Sequence, residues 1–501
     1  MSVVNNMPEN SREASPHQFV HLYWLSVLYL MIPVVIFILG WMQWYVAFPL
    51  LGISLVCGWR EYGKDQDRTG WKSFLAGQCT VKNTAVWGAL LLWLVLSGWG
   101  NITFQHPDFI VRNAVLGALT LESWPIQYSQ DTYFCYYFIS YLPAALCGKM
   151  FGLGAAHFLL LMWFTLGLYL VWSWVCRYVH SSSNLILCSL VLFGSLSSLR
   201  LLFQYLFPGS THEVPFISIA QQVTLTAHQA IPVMLLICML VAGKMKVERA
   251  VLILVMTVLY SPLCTLVMLA LFLAWLAGEN MDCWKGLFSP FNTVFGIMGV
   301  LFVLFMSNNC SASESSRFLY PYFNIVFWFY WCTSFVFYSI FCIKDFRKNL
   351  MFYSVVVSAL LLPCFYMGND INDFACKGSL VCTFALLLFV LKSVFSHPGI
   401  KKKLYILCLI GGGALMSCPL GLYLSCTPWL LDFQNKIYGC VPDSRVKSML
   451  LGKTYFPHMR HQHSWNNTMH HPEHYWYPNF TGLKNGFLCC FYKFPSCERR
   501  N

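Results

Sequence analysis

Residues 23–57 read YWLSVLYLMIPVVIFILGWMQWYVAFPLLGISLVC, with no Asp, Glu, Lys or Arg among them. A second stretch without charged residues runs from Val251 to Ala277. About 20 apolar residues suffice to cross a bilayer as a helix. A helix also satisfies its own backbone hydrogen bonds, as any segment exposed to lipid must do. Both stretches therefore predict membrane-spanning helices.

The composition extends this prediction to most of the chain. Of 501 residues, 57% are hydrophobic and 10% are charged, whereas about 25% of an average soluble domain is charged. We therefore expect an all-α, polytopic transmembrane helical bundle with about 12 or 13 spans. The expected parts are a cytoplasmic N-terminal segment (1–22), a transmembrane domain (23–426) and a soluble C-terminal tail (427–501). Loops at the outer face are expected at 101–150, 205–228, 307–320 and 367–378.

The net charge of +12 does not indicate a nucleic-acid partner, because the basic residues are spread over the loops rather than gathered in one stripe. With the N-terminus inside, most Lys and Arg fall in inner loops, as the positive-inside rule predicts. This balance requires that residues 132–146 dip into the membrane and return, or lie along its surface. The run 251–277 is interrupted at Ser261-Pro262, which predicts two short helices; one long kinked span is the alternative.

Polar residues gather in the predicted outer loops rather than in the spans. Asp108 follows a Pro and precedes apolar residues at near-helical spacing, which predicts a short amphipathic helix beginning there. Asp108 could simply cap that helix. Alternatively, it could be a general base or a ligand of a divalent metal ion. Three neighbours could then bind a phosphate or sugar hydroxyls: His106, Arg112 and Asn113.

The other outer loops contain further candidates. Glu213 could bind a sugar or a metal ion, and His228 and Gln229 could either bind substrate or anchor a span at the interface. Asp373 lies in a turn between spans, where turn chemistry alone could account for it. The spans contain no carboxylate, although an ion-coupled transporter usually needs one. Six His residues between 458 and 474 could capture a metal ion or simply be solvated.

Several of these segments resemble motifs of bacterial polytopic membrane proteins of the GT-C type, which are glycosyltransferases that use lipid-linked sugar donors. Residues 108–116, DFIVRNAVL, are similar to a D-W/F-x-K-H-N-A-I-L loop in that group. Residues 372–377, NDFACK, are similar to an N-D-F-x-x-R motif. Further similar pieces occur in the same order between these two: 124–128, 136–143, 228–232 and 261–262.

The resemblance implies a GT-C-like fold and a catalytic role for Asp108, which would activate the acceptor or help to hold a divalent metal ion. It also implies that Arg112 and Lys377 contact phosphate, with Asp373 or Glu213 as secondary polar groups. The chain departs from the motifs, since Lys377 stands where Arg is usual and cannot bind phosphate in the bidentate manner of Arg. Arg112-Asn113 likewise has one basic residue fewer than the motif.

The expected function is transfer of a sugar from a polyprenyl-phosphate donor to a glycan, lipid or protein acceptor at the outer face of a bacterial inner membrane. The partners would then include membrane lipid and exclude nucleic acid. One alternative is a transporter or flippase of the same kind of lipid-linked glycan, which should show paired repeats and polar groups near the bilayer midplane. A non-catalytic membrane scaffold is the third possibility.

Overall fold

The structure is a computed structural model of the full chain. It describes residues 16–65, 71–103, 105, 108–126, 132–194, 218–243, 245–307, 316–318, 328, 331–367, 372–397, 399–413, 481–483 and 491–493.

Helices dominate the described part of the chain. The α-helices are α1 (Pro16–Trp41), α2 (Trp44–Lys64), α3 (Trp71–Gln78), α4 (Val81–Leu96), α5 (Phe109–Leu121), α6 (Leu142–Phe151), α7 (Leu153–Val179), α8 (Asn184–Leu192), α9 (Ile219–Ala242), α10 (Val251–Tyr260), α11 (Thr265–Leu276), α12 (Pro290–Met306), α13 (Phe337–Ser339), α14 (Ile343–Phe346), α15 (Leu350–Leu361), α16 (Asp373–Ser396) and α17 (Ile400–Gly413). The 3₁₀ turns are Ile139–Tyr141, Val247–Arg249, Pro262–Cys264, Met281–Phe288 and Leu362–Cys364, and Cys332–Val336 is a π turn.

Strands are few and short among the described residues. Strand β1 (Thr132–Phe134) pairs antiparallel with β4 (Thr481–Leu483), and β2 (Ser316–Phe318) pairs antiparallel with β3 (Phe365–Met367). The prediction of an all-α helical bundle is therefore confirmed.

Four helices of the described chain are long and apolar enough to cross a membrane: Phe19–Trp41, Leu153–Val179, Ile219–Ala242 and Asp373–Ser396. A fifth span results if the bent pair Met281–Phe288 and Pro290–Met306 counts as one. These helices make the chain a membrane protein by length and composition. The bundle also contains shorter apolar helices, and the sequence-based expectation of about 12 or 13 spans stays a prediction.

The run 251–277 forms two short helices rather than one kinked span. Helix α10 ends at Tyr260, and α11 begins after the 3₁₀ turn Pro262–Cys264. Asn292 links the segment before α10 to the segment after α11. Its Nδ2 donates to the Val247 carbonyl at 2.8 Å and to the Gly286 carbonyl at 3.0 Å. Helices α10 and α11 therefore form a hairpin whose ends lie together and whose tip is the Ser261–Cys264 turn.

The end of the bundle that carries Asp65, here called the lower end, is held by ion pairs. Lys246 Nζ donates to Asp65 Oδ1 at 2.7 Å, and Arg249 Nη1 donates to Asp65 Oδ2. Trp24 Nε1 adds a hydrogen bond of 3.3 Å. Burial alone would raise the pKa of Asp65, but the hydrogen bonds and charges of Arg249 and Lys246 lower it below 3.8. The ionised form is therefore the one that the fold stabilises.

Residues 491–493 pack against the opposite end of the bundle, here called the upper end. The Lys493 amide donates to the Trp41 carbonyl at 2.7 Å, and the Gln43 amide donates to the Phe491 carbonyl at 2.8 Å. Tyr492 is fully buried, and its hydroxyl donates to the Leu301 carbonyl at 2.7 Å. These described pieces of the predicted tail 427–501 are thus packed against the helices, and most of the tail lies outside the described residues.

Residues 132–146 lie at this upper end. They form β1, the turn Ile139–Tyr141 and the start of α6. The Tyr133 hydroxyl donates to the Phe305 carbonyl at 2.8 Å, and α6 has 10 residues, too few to span a bilayer. Helix α6 alone is therefore too short to span a bilayer, and the expected course of residues 132–146 relative to the membrane stays a prediction.

Candidate functional site

Helix α5 carries the first two residues of the candidate site. Asp108 precedes its first residue in a helical conformation, and its side chain makes no capping hydrogen bond. The cap interpretation is therefore not supported by the geometry. Arg112 follows one turn later and is half-buried. Burial opposes the charge of Arg112, whereas Tyr136, Tyr141 and Asp108 favour it, and the net effect raises the pKa of the guanidinium.

Helix α9 is irregular next to Arg112. Thr226 has non-helical backbone angles of φ −141° and ψ 40°, and the carbonyl of the preceding Leu225 accepts a hydrogen bond of 2.9 Å from Arg112 Nε. Pro232 has no amide proton to offer the carbonyl of His228 four residues earlier. Ser140 Oγ donates to that carbonyl instead. Irregular backbone at membrane depth needs such partners, because lipid offers none.

His228 and Gln229 lie inside the bundle rather than at its surface. Their side chains are 0% and 2% exposed. Gln229 Nε2 lies 3.2 Å from His228 Nε2, and Ser261 Oγ at the hairpin tip donates to Gln229 Oε1 at 2.9 Å. The imidazole also stacks on Tyr137, with ring centroids 6.0 Å apart and planes 8° apart. The orientation of His228 is thus fixed from two sides.

Helix α16 carries two further charged residues of the candidate site, Asp373 and Lys377. Asp373 is its first residue and is exposed, and Lys377 follows one turn later and is half-buried. Side chains four residues apart share a helix face. The charges of Asp373, Arg112 and Asp108 all act on Lys377. The hairpin tip also reaches this helix, since Cys264 Sγ donates to the Lys377 carbonyl at 3.2 Å.

The structure therefore brings together most of the predicted site residues: Asp108, Arg112, His228, Gln229, Asp373 and Lys377. Asn113 is buried, and its Nδ2 donates to Gln105 Oε1 at 2.8 Å, which braces the loop before α5. Its contact with substrate stays a prediction. The predicted contacts His106 and Glu213 lie outside the described residues, as do the six His residues of the tail.

Sequence reasoning did not assign the tyrosines that surround His228. Tyr136 accepts a hydrogen bond of 3.2 Å from Arg112 Nη1, Tyr137 covers the imidazole, and the ring of Tyr141 lies 5.1 Å from it. The aromatic density of residues 133–141, YFCYYFISY, was the available signal. Tyr side chains that present hydroxyls beside a cation are typical of ligand sites.

No group of three or more His, Cys, Asp or Glu side chains in the described part of the chain could together hold a metal ion. The predicted divalent metal thus has no complete set of protein ligands among these residues.

Comparison with known proteins identifies no relative of this chain. The chain matches no protein-family model, no curated protein and no solved structure. The functional assignment therefore rests on the motifs and on the geometry of this site.

The site combines two cations, two carboxylates and a buried imidazole at one end of a membrane bundle. Arg112 and Lys377 come from different helices and can converge on one anionic group. Asp108 can accept a proton from a hydroxyl placed beside that group. The arrangement suits transfer chemistry in which an oxygen nucleophile loses a proton while a phosphate leaves.

Proposed function

We propose that this protein is a membrane glycosyltransferase of the GT-C type. It transfers a sugar from a polyprenyl-phosphate donor to a cell-envelope acceptor at the outer face of a bacterial inner membrane. The observation that supports this proposal is the proximity of four charged residues at the starts of α5 and α16. Asp373, Arg112 and Asp108 all lie close enough to Lys377 for their charges to act on it, and Asp108 acts likewise on Arg112. In this proposal, a lipid-linked donor enters the site from the bilayer at the upper end.

Each charged residue has a role in this proposal. Asp108 removes the proton from the acceptor hydroxyl, as a carboxylate acting as general base does. Arg112 and Lys377 neutralise the charge that develops on the phosphate leaving group. Asp373, which is exposed, contacts sugar or acceptor hydroxyls. His106 and Glu213 remain predicted contacts of the same substrate.

Two features support the alternative of a transporter or flippase for a lipid-linked glycan. Helix α9 is interrupted at Thr226, and α10 and α11 form a hairpin that turns back at Ser261. Broken helices near a binding site are typical of secondary transporters. The same breaks are explained in a transferase, because they place His228 and Gln229 beside the charged pairs.

Reconstitution in liposomes separates the two functions. The native protein is supplied with a panel of radiolabelled polyprenyl-phosphate sugars and a membrane extract as acceptor. Label that becomes covalently attached to an acceptor supports the transferase. Movement of intact lipid-linked glycan between leaflets, without transfer for any donor, would replace it with the transporter.

A further inference from the structure

Two buried polar atoms of the site have no hydrogen-bond partner among the residues that the structure describes. They are the hydroxyl of Tyr141 and Nδ1 of His228. Both side chains are 0% exposed, and their rings lie 5.1 Å apart. A buried polar group without a partner destabilises a fold. Two such groups beside each other indicate that something else completes their hydrogen bonds.

Both atoms are donors in this setting. Gln229 Nε2 lies 3.2 Å from His228 Nε2, and an amide nitrogen can only donate, so His228 Nε2 accepts. The imidazole is fully buried, and burial disfavours its charged form, so the ring is neutral. Its single ring proton is therefore on Nδ1. The Tyr141 hydroxyl can donate as well.

Arg112 adds further donors at the same place. Its charge acts on both Tyr141 and His228. Its Nε is used by Leu225 and one proton of Nη1 by Tyr136, whereas a guanidinium has five N–H groups. A half-buried guanidinium whose charge acts on two unpartnered donors adds to a surplus of donors, which favours an anionic oxygen.

We propose that Tyr141, His228 and Arg112 form a donor recess that binds a phosphate oxygen of the substrate. That the phosphate belongs to a polyprenyl-linked donor rests on the proposed function. Half-buried Tyr137 stacks on His228 and also feels the charge of exposed Asp373. Tyr137 therefore lies between His228 and exposed Asp373.

Tyr141→Phe tests the recess with a single atom. The change removes a hydroxyl that has no described partner, so the fold without ligand keeps its stability. Tyr338→Phe is the matched control, because its hydroxyl is also buried without a described partner. That ring packs on Phe193 at 4.4 Å, on another part of the bundle. The full chain in nanodiscs is titrated with a short-chain polyprenyl phosphate, with the corresponding polyprenyl alcohol and with inorganic phosphate.

We expect the native protein to bind the polyprenyl phosphate more tightly than the alcohol. Tyr141→Phe should weaken binding of the phosphate about tenfold or more, whereas Tyr338→Phe should leave it unchanged. Binding of inorganic phosphate that depends on Tyr141 would also support the recess and would show that the free anion suffices. Equal affinity of native protein and Tyr141→Phe, or equal affinity for alcohol and phosphate, would overturn it.

The proposed recess and the proposed transferase activity can be contradicted by different results. Tyr141-dependent binding of polyprenyl phosphate without sugar transfer from any donor would overturn the transferase and support the recess. Sugar transfer that proceeds equally well in Tyr141→Phe would overturn the recess and leave the transferase standing.

Discussion

Ser261 donates a hydrogen bond of 2.9 Å to Gln229 Oε1 and so joins the tip of the α10–α11 hairpin to helix α9. Both side chains are buried. Gln229 in turn bonds to the imidazole of His228. The hairpin therefore helps to set the orientation of the histidine. Ser261 is 32 residues from Gln229 in sequence, so this is a long-range contact.

Ser261→Ala should loosen this arrangement. The change leaves the buried Gln229 oxygen without its partner, which costs about 1–3 kcal/mol. We expect a lower apparent melting temperature in detergent, together with weaker binding of polyprenyl phosphate. Ser396→Ala, at an exposed helix end, is the control and should change stability by no more than about 0.5 kcal/mol. A Ser261→Ala protein that matches the native protein in both measurements would show that the hairpin does not position His228.

Arg112→Lys should impair both stability and activity although it keeps the positive charge. A single ammonium cannot reproduce the fixed fork that reaches the Leu225 carbonyl and the Tyr136 hydroxyl together. The carbonyl at the break of α9 then loses its partner, at a cost of about 1–3 kcal/mol. We expect sugar transfer to fall at least about tenfold. Arg60→Lys, an exposed position near the lower end, should behave as the native protein does; equal activity of both variants would contradict the role of Arg112.

Asp65 should make stability depend on pH in acid. Its pKa in the folded protein lies below the ordinary 3.8. The stabilisation is therefore complete above that ordinary value and is lost as the pH falls through the lower folded value. The melting temperature of the native protein should fall on acidification from about pH 5 to pH 3, and Asp65→Asn should fall less steeply. Asp282→Asn, which changes an exposed carboxylate, should keep the native steepness. Identical profiles for native protein and Asp65→Asn would remove Asp65 as the cause.

Burial of Tyr492 should contribute strongly to the stability of the upper end. Its ring is fully buried against Phe37 and Phe305, with centroid distances of 6.4 and 5.2 Å. Replacing such a ring by Ala leaves a cavity that costs about 3–5 kcal/mol. We expect Tyr492→Ala to lower the melting temperature clearly and Tyr492→Phe much less. Phe288→Ala, where the ring is 86% exposed, is the control. An unchanged melting temperature in Tyr492→Ala would mean that residues 491–493 are not part of the folded bundle.

The sequence was sufficient to predict the helical class and much of the site. The absence of charge in 23–57 and 251–277 indicates apolar helices whatever their partners are. The position of Asp108 before an amphipathic segment predicts the start of α5 at Phe109, where the structure has it. Charged residues in loops are visible because they stand out against an apolar background.

Contacts between distant parts of the chain could not be read in this way. Tyr141 reads as one more aromatic residue until the fold places it beside His228, and Ser261 reads as part of a break in a helix. The hydrogen bond from Asn113 to Gln105 likewise has no sequence signal, because it depends on how the loop before α5 folds. The packing of Tyr492 has no sequence signal, since it depends on a long-range approach of the chain end to α1 and α12.

The most direct test of the central claim is transfer of labelled sugar from polyprenyl-phosphate donors to membrane acceptors, with native protein and Asp108→Asn at matched expression. Asp282→Asn, a carboxylate at the lower end, controls for loss of charge alone. A general base typically contributes about 10²–10⁴-fold to a rate. We therefore predict transfer by the native protein and by Asp282→Asn, and a loss of that order in Asp108→Asn. Equal transfer by native protein and Asp108→Asn would contradict the assignment of Asp108 as the base.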